Sequence, residues 1–157
     1  MEYQEKLTFE MDICELHKNR LKMSLTHIRP QLPLTKQFFE SAKDVDFAFL
    51  DMVAMRFAKL QDTLRKKIFP EILRLTGDYE EDETFIDRLN RLERMGVIDS
   101  AQRWQVLRDI RNAISHEYEN DLDKLCEVFN YFIEKCQDLL ALWQNVKEYI
   151  HQKKLLM

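Results

Sequence analysis

The densest cluster of groups able to do chemistry is the run Asp109-Ile110-Arg111-Asn112-Ala113-Ile114-Ser115-His116-Glu117-Tyr118. If a helix persists to Tyr118, Asn112 and His116 form an i,i+4 pair on one face. Arg111 and Tyr118 then nearly align on a neighbouring face, and Ile110 and Ile114 anchor the run to a core. An unperturbed imidazole titrates near pH ~6.5 and so exchanges protons in neutral solution. A guanidinium offers forked donors that match phosphate oxygens. The pair suits RNA cleavage: the 2′-hydroxyl is an internal nucleophile, so a proton-transfer group and a cation suffice without a metal, leaving a 2′,3′-cyclic phosphate. The same residues also suit a plain structural role, because Arg, His and Tyr at a helix C-terminus satisfy last-turn carbonyls and the helix dipole.

Other chemistries lack their residues. Two glycines (Gly77, Gly96) build no phosphate cradle, and His17, His27, His116 and His151 show neither H-x-x-x-H spacing nor cysteine companions. No G-x-S-x-G elbow is present, and no cysteine has a histidine beside it in sequence. No cofactor and no metal are expected. Cys14, Cys126 and Cys136 are odd in number without a C-x-x-C pair, and read as reduced core thiols of a cytoplasmic protein.

The elements that must position the motif are helical. The 157 residues hold only two glycines and three prolines, with 45% hydrophobic and 33% charged side chains, a balance that excludes turn-dense β architectures and disorder. Apolar spacing predicts a first helix over about 3–28, ended by Pro30 and Pro33. Thr35 caps a short second helix, and Asp44 or Asp46 opens a longer one reaching toward Pro70, where the pattern must end or kink. A segment closing at Gly77, an acidic loop to Glu83, a helix from Thr84 to Met95 stopped by Gly96, and a motif helix capped by Asp99 or Ser100 follow. From Leu122 a long terminal helix carries an apolar stripe wider than one buried seam needs, which suggests that a second subunit covers part of it. The expected fold is all-α: one domain over 1–157, a bundle of about five helices, with the role of 1–33 open.

The formal charge of −4 means that any RNA contact must come from a local basic patch. Arg103 and Arg108, on the motif helix, are the first candidates. Arg65, Lys66 and Lys67, or Arg88, Arg91 and Arg94, could guide phosphates but equally read as solvated faces. Asp51 could pair with Arg111 or Lys59. Trp104 and Trp143 read as core or interface residues, and His17 and His27 as surface residues. No stretch approaches the ~20 apolar residues of a membrane span, and the N-terminus shows no export signal.

The string R-N-A-I-S-H-E-Y resembles the R-x-x-x-x-H-x-Y motif of HEPN domains in HepT toxins, with the polar residue directly after Arg common in that group. The order of elements over roughly 40–150 is similar too: FAKLQDTLRKKIFPEIL, an acidic loop, the motif helix and a long last helix. The resemblance implies a homodimer of helical bundles whose Arg and His meet across the interface in one RNA-cleaving cleft. Arg111 would then stabilise phosphate, His116 transfer the proton and Asn112 support it. It also implies a partner, an MNT-type nucleotidyltransferase antitoxin that transfers AMP to Tyr118, adding charge and bulk where substrate phosphates bind. Arg111 and His116 lie about 140° apart around a helix, so two copies form the shared site more readily than one. The alternative is a non-catalytic HEPN module that binds a nucleotide or recruits a nucleotidyltransferase.

Overall fold

A computed structural model describes residues 2–114 and 120–156. Its elements are α1 (Glu2–Ile28), a 3-10 turn (Arg29–Gln31), α2 (Lys36–Ser41), α3 (Asp44–Thr63), a π-helical turn (Leu64–Ile68), α4 (Phe69–Thr76), α5 (Phe85–Met95), α6 (Ala101–Ile114) and α7 (Leu122–Gln152). The chain is all-α. Among the described residues seven helices stand where about five were expected, because α2 and α4 count separately, although α3 and α4 join without a break through the π turn.

Local chemistry sets most of the boundaries. The Thr35, Thr84 and Ser100 hydroxyls accept from Phe38, Asp87 and Arg103 N–H, each satisfying a donor with no partner inside its helix. At α3 the Asp46 carboxylate accepts from the Lys43 N–H at 3.0 Å. Gly77 and Gly96 end α4 and α5 at φ +78° and +83°, a backbone region that a Cβ penalises. Pro70 cannot donate to the carbonyl four residues back. The preceding turn widens, with Phe69 N–H bonding Leu64 O, so Pro70 falls in the first turn of α4 and the helical run continues.

α1 and α3 run antiparallel: His17 meets Arg56, and ten residues on His27 stacks on Phe49 at 3.6 Å. They share the most extensive helix–helix contact, so the N-terminal segment is a wall of the core. One contiguous apolar cluster joins α1, α3, α4, α6 and α7, with Phe57 against Phe132 at 4.7 Å and Phe69 against Trp104 at 5.1 Å. The wide stripe of α7 is largely used within the chain, since Phe132, Cys136, Leu139, Trp143, Val146 and Ile150 are all buried. Leu125, Phe129 and Leu140 of the same stripe stay half-buried and form its outer edge. The Asn130 amide accepts from Leu34 N–H and donates to Leu34 O, fixing the strap between α1 and α2 onto α7.

Two surface readings change. His17 is only 8% exposed, its Nδ1 at 3.0 Å from Arg56 Nη1, because it lies on the flank of α1 that meets α3. Arg88 and Arg91 are engaged by the acidic loop. Arg91 binds the Glu83 carboxylate and the Asp78 carbonyl, Arg88 donates to Glu80 O at 3.0 Å, and the Arg74 and Arg88 guanidiniums cover Tyr79. These arginines hold the acidic loop against α5. Among the described residues, no helix is long and apolar enough to cross a membrane.

Candidate functional site

Arg111 lies in the last turn of α6, where its charge opposes the negative end of the helix dipole. The periodicity of Trp104, Leu107 and Ile110 buries one face of α6 and directs Arg111 along its edge toward α3. There it makes a forked ion pair with Asp62, Nη1 to Oδ1 at 2.6 Å and Nη2 to Oδ2 at 3.0 Å. Asp51 is not the partner; Asp62, three turns further along α3, is the residue level with the end of α6.

The pair belongs to a cleft of about 380 Å³ between α3 and α6, lined by Gln61, Asp62, Arg65, Trp104, Arg108, Arg111 and Asn112. Three guanidiniums against one carboxylate make it locally cationic in an acidic chain, as phosphate binding requires. The π turn determines part of this. Arg65 stands on it and packs over the Phe85 ring at 4.9 Å, so the widening forced by Pro70 also places a cation at the cleft.

Of the residues singled out from sequence, the structure brings together Arg111, Asn112, Arg108, Arg65 and Trp104. Arg103 is not with them. It pairs with Asp99 at 2.7 Å on an exposed surface and lines a different cleft, beside Asp138 and Asn145, because five residues along a helix turn it away from Arg108. His116 and Tyr118 lie outside the described residues. Trp104 is core, 1% exposed, and also lines the cleft. Trp143 is fully buried.

Compared with protein-family models, curated proteins and solved structures, the chain gives no significant match.

Sequence reasoning missed Asp62 and Gln61. Gln61 is 3% exposed, and neither of its amide atoms has a protein partner among the described residues. Its burial was readable, since it follows Phe57 by four and precedes Leu64 by three on the apolar face of α3. Asp62 carried no such signal, because its role depends on a residue forty-nine positions away. Among the described residues no group of three or more His, Cys, Asp or Glu side chains converges to hold a metal. Burial pushes the Cys14 and Cys136 thiols well above their usual range, so neither is an activated nucleophile. Cys126 is half-buried and its thiol is also raised, chiefly by desolvation.

Proposed function

We propose that the chain is a HEPN-type ribonuclease toxin of the HepT kind, acting as a homodimer and cutting RNA by 2′-hydroxyl attack. The observation that carries the reading is the placement of Arg111, the first residue of the R-N-x-x-x-H-x-Y string, in a cleft with Arg65, Arg108 and Asn112. In this reading Arg111 neutralises the charge that develops on the phosphorane oxygens, His116 moves the proton, and Asn112 supports the imidazole. Arg65 and Arg108 hold flanking phosphates. Tyr118 is the acceptor of AMP from an MNT-type nucleotidyltransferase partner, and the modification silences the cleft by charge and bulk.

A second reading is favoured by one observation: the forked pair with Asp62 already occupies the Arg111 guanidinium. In that reading the domain is a non-catalytic module, and Arg111 is structural. The two separate on one experiment, in which cells express the wild-type chain or His116→Ala and total RNA is examined for new 2′,3′-cyclic phosphate ends. The ribonuclease reading expects growth arrest and cleavage that vanish in the variant. Harmless expression and intact RNA in both would replace it with the module.

A further inference from the structure

Helix α1 carries two apolar seams. Leu7, Met11, Cys14, Leu21, Leu25 and Ile28 are buried against the rest of the chain. On the opposite face Phe9, Leu16 and Met23 recur every seven residues and remain 62%, 42% and 49% exposed. A strict seven-residue step drifts only about 20° per repeat, so the three form a nearly straight line. From Phe9 to Met23 that line spans about 21 Å at 1.5 Å per residue. Among the described residues no helix covers it. His17 turns to Arg56 on α3, and Glu15 turns to Lys147 on α7, leaving Leu16 between them about 100° from each.

Single exposed apolar residues are ordinary, but a heptad line on a long helix is the surface that a second helix covers. The charges on α1 say which helix. Residues 2–15 hold Glu2, Glu5, Glu10, Asp12 and Glu15 against Lys6 alone, whereas 16–29 hold Lys18, Arg20, Lys22 and Arg29 and no acid. The helix is therefore self-complementary end to end when reversed.

We propose that the outer face of α1 is a self-association surface on which two copies pair antiparallel about a twofold axis beside Leu16. In this register Leu16 meets its own counterpart, and Phe9 lies beside Met23 of the second copy. Asp12 and Arg20, each four residues from Leu16 and both exposed, come to the same level across the seam. A parallel pair would set acid against acid and base against base. With only three apolar layers per helix the association is weak, so it is best read by trapping. It is independent of the ribonuclease reading, and of any dimer formed elsewhere on the chain.

The test uses the full chain with Cys126→Ser; Cys14 and Cys136 are buried and stay silent to mild oxidation. Leu16→Cys is expected to form a disulfide-linked dimer readily. Phe9→Cys alone and Met23→Cys alone should not, because in the antiparallel pair each lies about 21 Å from its own counterpart and a disulfide needs Cα atoms within about 7 Å. An equimolar mixture of those two variants should cross-link to each other. Asp12→Arg should weaken trapping of Leu16→Cys about tenfold through like-charge contact, and adding Arg20→Asp should restore it. Failure of Leu16→Cys to cross-link, or self-linking of Phe9→Cys as a parallel pair requires, would overturn the proposal.

Discussion

Arg111 on α6 and Asp62 on α3 hold each other through two parallel contacts of 2.6 and 3.0 Å, the only forked ion pair in the arginine-lined cleft among the described residues. The pair does two things. It fixes a long cationic side chain at the cleft edge, and it ties the end of the motif helix to the most extensively packed pair of helices. Both partners are about a third exposed, at 35% and 33%, so water screens much of the attraction.

Asp62→Ala is accordingly expected to cost only about 1 kcal/mol, because a pair about a third exposed sits near the upper end of surface values. For a chain of this length that is a fall in Tm of roughly 2–4 °C. Thermal unfolding followed by circular dichroism checks it. A loss several times larger would mean that Asp62 does more than hold Arg111.

The ribonuclease reading makes a demand on the side chain itself. Arg111→Lys keeps the charge but loses the planar fork, so cleavage should fall about as far as in Arg111→Ala, on the order of a hundredfold or more for loss of an oxyanion stabiliser. Rates of 2′,3′-cyclic phosphate formation on a purified RNA measure this. Full activity in Arg111→Lys would reduce Arg111 to a point charge.

His17 supplies a pH dependence whose sign is fixed. Burial, with Arg56 and Lys59 nearby, holds its pKa below the usual 6.5, so the folded chain prefers the neutral ring. Above the unfolded value the group is neutral in both states and costs nothing. As the pH falls below 6.5 toward the folded value, the unfolded chain takes up the proton first and stability is lost. His17→Gln keeps an acceptor for Arg56 and should remove that part of the slope below about pH 6.5 in urea titrations. An unchanged slope would show that other groups carry it.

Gly96 tests the helix boundary. Its φ of +83° is costly for any residue with a Cβ, while the space around it is open to 4 Å, so Gly96→Ala should lose about 1–2 kcal/mol from backbone strain alone. Gly96→Asn should lose less, because Asn tolerates the left-handed region. Equal stability of all three proteins would mean that the α5 terminus relaxes.

Cysteine labelling reads the core. At pH 8 a thiol reagent is expected to modify Cys126 alone in the native protein, and Cys14 and Cys136 only at the rate of unfolding. Fast modification of either buried thiol would show that the helix carrying it opens in the native protein.

The sequence by itself determined the helical class and most of the boundaries, because these rest on local chemistry. The three hydroxyl caps and two left-handed glycines act within a few residues of where they stand. It also placed Trp104 and Trp143 on buried faces by apolar periodicity, and the packed bundle puts both in the chain's own core. The motif was legible as a string, yet Asp62 as the partner of Arg111, the engagement of Arg88 and Arg91 by the acidic loop, and the burial of His17 were decided only by tertiary structure. Each depends on which residues of another element arrive at the same level, and a charged side chain has no periodic signature of its own partner. The breadth of the α7 stripe has the same limit: one helix shows how much apolar surface it has, and only the packed bundle shows which part of it the chain's own helices cover.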